Sequence, residues 1–253
     1  MGAMRPRIGI TCGYRPGEPV NGYETALLAV DARFCDVVFD GGGEPLLIPP
    51  AAREADLLPI LRTLSGVILT GGPDVPPERY GAKPHPETRL LHPRRVAVDF
   101  AAARFADEQE LAVLAICCGI QEWNVHRGGT LHQHLPDLQC SPQIKHREGN
   151  TFSHHPVRVD EKSLLFSIIK TVSLPVNSSH HQGLDRLGAN LRATGWAADG
   201  LIEAVEDPRR PFCLGVQWHP EDMPGDPLQE KIFRAVVAAA SRIQPGGTVS
   251  RPR

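Results

Sequence analysis

The stretch that decides the fold is LAVLAICCGIQEWNVHRGG, Leu111–Gly129. Its first part is a short unbroken apolar run, as in a strand covered on both faces; its second returns to helical spacing and stops at two glycines. Between them two cysteines stand side by side ahead of Gly119. A strand passing into a helix through so few residues predicts a tight turn. Such an elbow has no room for side chains two positions either side of its centre, which gives the order small, any, nucleophile, any, small. Ala115-Ile116-Cys117-Cys118-Gly119 meets that order with Cys117 in the middle, whereas centring on Cys118 would set Ile116 and Ile120 at the crowded positions. The following helix would direct its amides and positive dipole end at the Cys117 thiol and lower its pKa, and the Cys118 amide would face an oxyanion. A buried structural cysteine satisfies the same pattern, so the elbow alone leaves both readings open.

Working outward, strand and helix signals alternate. RIGITC (Arg7–Cys12), EPLLIPP (Glu44–Pro50) and GVILTGG (Gly66–Gly72) are short apolar strands. Helical spacing runs through LLAVDARFCDVVFDGGG (Leu27–Gly43), Arg53–Leu64 and RRVAVDFAAARFADEQE (Arg94–Glu110). Pro73–Pro93 is too rich in proline and glycine for a regular element and is expected to be a surface loop near the mouth of a site. Further on, HPVRVD and LPVNSSHHQ are expected to be strands, the second entering a polar loop, and Leu191–Asp207 and Pro211–Glu221 to form paired strands. An amphipathic helix, Pro227–Ile243, closes the domain. The predicted class is α/β, a mainly parallel sheet with helices on both faces and ligands at the carboxyl ends of the strands. One domain is expected over residues 5–243, with 1–4 a tag remnant and 244–253 a disordered tail.

Composition narrows the function. The 253 residues are 41% hydrophobic and 22% charged with a formal charge of -2, and no basic run appears, which argues against nucleic-acid or membrane partners and for a small molecule or another protein. Self-association into a homo-oligomer stays open. Six cysteines in a chain this long are too dilute for a disulfide scaffold, no signal peptide is apparent, and no apolar run reaches the roughly 20 residues of a membrane span, so a reducing cytoplasm is expected.

A thiolate nucleophile needs a histidine to take and return a proton, held by a third group. Of the 11 histidines, His219 stands at the end of an apolar strand with Glu221 two residues on; alone, that His-Pro-Glu is equally a surface turn. His132 and His134 flank Gln133 without a cysteine or carboxylate cluster, so no metal site is expected.

Together, GVILTGGPDVPPERYG (66–81), LAICCGIQEWNVHRGGTLHQHL (114–135), VNSSHHQ (176–182) and DGLIEAVED with PFCLGVQWHPE (199–207 and 211–221) resemble the class I glutamine amidotransferase superfamily. Within it the chain is most similar to the gamma-glutamyl-gamma-aminobutyrate hydrolase-like family, over nearly its whole length. The resemblance implies a flavodoxin-like fold, Cys117 as nucleophile, His219 as general base and acid, and Glu221 as its orienting partner. It implies oxyanion donors at Gly72 and Cys118, Gln121 near the glutamyl group, and a substrate pocket lined by the loop with Asn177, Ser178, Ser179, His180, His181 and Gln182; solvated loop residues are the equal alternative for its histidines. No cofactor is implied. The expected activity is hydrolysis of a gamma-glutamyl amide through a glutamyl thioester, releasing glutamate and an amine. A glutaminase subunit feeding ammonia to a partner synthase, or a non-catalytic binding protein on the same scaffold, are the alternatives. The sequence departs from the family at one point: relatives commonly carry arginine where Cys118 stands, so a cationic anchor is missing from the elbow.

Overall fold

The computed structural model describes residues 5–51, 53–138, 144–149 and 151–245. The expected tag remnant, and the expected tail from residue 246 onward, lie outside them. The chain runs through β1 (Arg7–Thr11), β2 (Gly13–Val20), β3 (Tyr23–Ala29), α1 (Arg33–Asp40), β4 (Glu44–Ile48), α2 (Leu58–Leu61) and β5 (Gly66–Leu69). It continues as α3 (Pro93–Glu108), β6 (Ala112–Ile116), α4 (Cys118–His126), β7 (Leu131–His132), β8 (Ser153–Val159), α5 (Leu164–Ile169) and β9 (Ser173–Ser178). Last come β10 (Gly183–Leu184), β11 (Arg192–Trp196), β12 (Ile202–Glu206), β13 (Cys213–Val216) and α6 (Pro227–Ala240).

Nine strands form one sheet in the order β4-β1-β5-β6-β13-β12-β11-β8-β9. From β4 to β13 every pairing is parallel; from β13 to β9 every pairing is antiparallel. Burial follows this division. β5, β6 and β13 are buried at every position, as central strands covered on both faces must be, while β8 alternates between buried and exposed with only one face covered. Helix α3 starts at Pro93, whose missing N–H costs nothing there, and the His92 side chain accepts from the Arg94 amide; Asp226 caps α6 in the same way through the Leu228 amide.

Two expectations are corrected. The helix expected from Leu27 starts only at Arg33, because Leu27 and Leu28 belong to an exposed hairpin, β2–β3. Its turn is Asn21-Gly22, both at positive φ (52° and 78°), the pairing that two-residue hairpin turns demand. Pro73–Pro93 is more ordered than its composition predicts. It holds a 3-10 turn at Pro77–Tyr80, and Asp74 pairs with Leu90 while Val75 and Leu91 are buried.

Candidate active site

The site forms where two neighbouring parallel strands end. β6 pairs with β13 in the register Ala115↔Gly215 and Ile116↔Val216, and the Cys117 amide donates to the Val216 carbonyl at 2.9 Å. Both chains leave the sheet on the same edge, one at Cys117 and the other three residues later at His219. Cys117 sits at φ 52°, ψ −107°, a strained conformation for a residue with a Cβ, which rotates its side chain out of the strand-to-helix turn. The small residues around it are required sterically: a Cβ on Gly119 would stand 2.2 Å from the Leu69 carbonyl oxygen.

His219 Nδ1 lies 2.7 Å from Glu221 Oε1, and the ring stands beside Cys117 across the Gly71 backbone. Burial works against a charged ring here, but Cys117 and then Glu221 outweigh it and hold the His219 pKa well above its ordinary 6.5. The turn carrying Gly71 and Gly72 lies across this group. A Cβ on Gly71 would approach His219 Cε1 to 2.8 Å and Cys117 Cβ to 3.6 Å, so only glycine lets the turn pass this close.

The turn separates two cavities. One, of about 290 Å³, holds Cys117, Gly72 and Gln121 with Ser179, His181 and Gln182, and Arg89 and Arg147 at its rim. The other, of about 460 Å³, has His219 and Glu221 on its inner side and Tyr14, His92, Asp31 and Asp222 on its outer. Gln121 is buried and donates to the Gln182 carbonyl and to Gln217 Oε1, both at 3.2 Å. His181 Nε2 rests on the Asp74 carboxylate at 2.9 Å. Ser178 faces elsewhere: it is fully buried and its hydroxyl donates to the His146 carbonyl at 2.8 Å, which makes it a strut of the loop rather than a wall of the cavity. His132 and His134 do not come together on a common ion; His132 lies 3.6 Å from Asp185, and His134 contacts the His181 ring at 3.3 Å.

Cys118 does not enter the cavity with Cys117. Its side chain is 1% exposed, its Sγ donates to the Pro73 carbonyl at 2.9 Å, and burial followed by the Glu122 charge pushes its thiol pKa well above 9. Both cysteines are free thiols. Beside Cys118 lies a buried network that sequence reasoning missed. Arg95 pairs with Asp99 one turn along α3, and its Nη2 donates to Thr70 Oγ1 at 2.8 Å and to the Thr70 carbonyl at 3.2 Å, bracing the strand end that leads into Gly71. A buried cation thus lies near Cys118, held by Asp99 and Thr70 rather than facing the Cys117 cavity. An i,i+4 Arg–Asp pair on an otherwise alanine-rich helix was its only signal in the sequence.

The peptidase C26 profile, a class I glutamine amidotransferase-like family, matches residues 6–221. The chain belongs to the peptidase C26 family. It is 36% identical over 255 residues to a Mycobacterium tuberculosis protein provisionally named a glutamine amidotransferase, covering 100% of this chain and 80% of that one. It is 35% identical over 230 residues to the gamma-glutamyl-gamma-aminobutyrate hydrolase of Escherichia coli (strain K12), covering 85% of each. Among solved structures, the glutaminase domain of Trypanosoma brucei CTPS with bound acivicin superposes with a TM-score of 0.63 at 16% identity, over 97% of this chain and 98% of that one, a likeness of fold. Among the described residues, no helix is long and apolar enough to cross a membrane.

Proposed function

We propose that this C26 member is a cysteine-dependent hydrolase of small gamma-glutamyl amides, of the gamma-glutamyl-aminobutyrate or gamma-glutamyl polyamine type. The observation that carries the reading is the imidazole of His219 set beside Cys117 and bonded to Glu221, with Cys117 itself lining a cavity that has room for a glutamyl group. The name of the Escherichia coli relative supports the same substrate class.

In this reading His219 takes the proton of Cys117 as the sulfur attacks the side-chain carbonyl carbon of the glutamyl group. The carbonyl π pair moves to oxygen, and that oxyanion is met by the Gly72 and Cys118 amides. The tetrahedral carbon then collapses, the C–N bond breaks, and His219 delivers a proton to the departing amine. Water deprotonated by His219 attacks the thioester, and glutamate leaves as His219 returns the proton to the Cys117 sulfur. Glu221 holds the ring and offsets its charge. The glutamyl group lies on the Gln121 side, where Arg89 and Arg147 offer cations to its carboxylate in place of an elbow arginine; the amine leaves toward the cavity bounded by Tyr14 and Asp222.

The test is incubation of the purified protein with gamma-glutamyl-aminobutyrate, gamma-glutamyl polyamines, glutamine and poly-gamma-glutamate. Amine release without a partner, abolished in Cys117→Ala, is the expected result. Glutamine cleavage only with an added synthase would favour an ammonia-delivering subunit, and no cleavage of any substrate would favour a binding protein.

A further inference from the structure

Outside the thiol site, side chains from separate segments converge on one buried carboxylate oxygen. Glu203 Oε1, on β12, lies 3.2 Å from His146 Nδ1, 3.6 Å from His180 Nε2 and 3.8 Å from His155 Nε2. Glu203 is fully buried and the three histidines are no more than 7% exposed. Close as they are, none of these facing atoms has a hydrogen-bond partner, and Glu203 Oε2 has none either.

The far side of each ring explains why. His146 Nε2 is 2.9 Å from Asp199 Oδ2, His180 Nδ1 is 2.8 Å from the Gln182 carbonyl, and His155 Nδ1 is 3.4 Å from the Pro156 carbonyl. A ring nitrogen facing a carboxylate or carbonyl carries the proton, so in a neutral imidazole the opposite nitrogen is a lone pair. Here those lone pairs turn toward one another and toward a carboxylate. That arrangement needs a positive charge within it, either a second proton on His146, which the Glu203 and Asp199 carboxylates on its two sides favour, or a metal ion shared by all the facing atoms.

We propose that His146, His180 and Glu203, with His155 as the fourth ligand, hold a zinc ion. The ligand atoms of His146, His180 and Glu203 all lie within 4.8 Å of one another. Bonds of zinc to imidazole and carboxylate set the edges of a tetrahedron at about 3.3 Å, close to the spacings around Glu203 Oε1, and His155 Nε2, 3.8 Å from that oxygen, is the nearest further imidazole. Imidazole and carboxylate without thiolate suit this ion. Outer hydrogen bonds to a carboxylate and to backbone carbonyls are what orient histidines that ligate metal. A cavity of about 440 Å³ lined by His146, His180 and Asp199 lies beside the cluster. The ligands lie on β8, β12, the loop before β8 and the loop after β9, so no local sequence spacing signals them.

The ion would be structural. The His146 carbonyl accepts from the His180 amide at 2.9 Å and from the Ser178 hydroxyl, and the Gln182 carbonyl accepts from Gln121. Binding at this point therefore pins the loop that closes the Cys117 cavity. The proposal does not depend on the hydrolase reading.

Full-length protein is stripped with a chelator, given zinc, desalted and analysed by mass spectrometry for metal, with X-ray absorption at the zinc edge. About one zinc per chain is expected, retained in Cys117→Ala, with a nitrogen and oxygen shell showing imidazole scattering and no sulfur. Zinc should also raise the melting midpoint of the stripped protein, and His155→Phe with Glu203→Gln should abolish that rise. Absence of retained zinc in the unmodified chain, a sulfur ligand, or loss of the metal in Cys117→Ala would overturn the assignment, whatever the variants do.

Discussion

Asn177 and His219 hold each other through two reciprocal hydrogen bonds: Asn177 Nδ2 donates to the His219 carbonyl and the His219 amide donates to Asn177 Oδ1, both at 2.9 Å. Asn177 ends an antiparallel strand at the far edge of the sheet, yet it fixes the backbone from which the candidate base projects. Asn177→Ala is expected to lower kcat by about 10²-fold, because a displacement of the ring on the order of 1 Å has that effect on a positioned group. Substrate titration should show KM changing far less, and unaltered kcat would remove Asn177 from the machinery.

The two adjacent cysteines should behave oppositely. Iodoacetamide at neutral pH is expected to modify Cys117 and spare Cys118, whose thiol is buried, hydrogen-bonded to Pro73 and held well above its ordinary pKa. Peptide mass spectrometry reads this directly. Cys118→Ala should retain activity within about threefold, since only its amide is asked to act.

The glycines at the turn and the elbow should fail in different ways. Gly119→Ala drives a Cβ to 2.2 Å from a backbone oxygen that cannot move, so a loss of about 3 kcal/mol or more is expected in urea unfolding. Gly71→Ala meets the His219 ring instead, which can rotate away. That variant should fold with a smaller stability loss and lose about 10²-fold in turnover.

His219 gives a pH signature. Its folded pKa is raised above the unfolded value near 6.5, so its contribution to stability is complete below that value and is lost as pH rises through the folded pKa. Cys117 is the largest contributor raising it. In Cys117→Ala the imidazole pKa followed by NMR should therefore fall, and the loss of stability above pH 6.5 should shift to lower pH; an unchanged pKa would mean that Glu221 alone sustains it.

Glu122 has the same sign of pH dependence for a different reason. It is fully buried beside Asp99, and burial followed by that charge raises its pKa well above 4.5. Folding then takes up a proton, so stability falls as pH rises from the unfolded value through the folded one. Glu122→Gln should match the unmodified chain near pH 4 and exceed it at pH 8 by on the order of 1 kcal/mol in urea unfolding.

Local patterns were legible wherever the chain's own neighbours set the conformation. The elbow was readable because Ala115 and Gly119 flank Cys117 at fixed offsets, and the parallel half of the sheet because strands buried on both faces are written as unbroken apolar runs. The hairpin turning at Asn21-Gly22 was missed, and the exposed Leu27 and Leu28 show that apolar periodicity alone does not prove a buried face.

By itself, the sequence determined the α/β class and the order of elements about the elbow, and it pointed to Cys117 over Cys118 as the candidate, since each rests on residues a few positions apart. Only the tertiary structure decided which groups meet across the chain. It set His219 beside Cys117 through the β6–β13 register, clamped His219 with Asn177, turned Ser178 away from the cavity, and brought His146, His155 and His180 onto Glu203. Those contacts join residues tens of positions apart, and side-chain identity along a strand does not say which strand lies next to it.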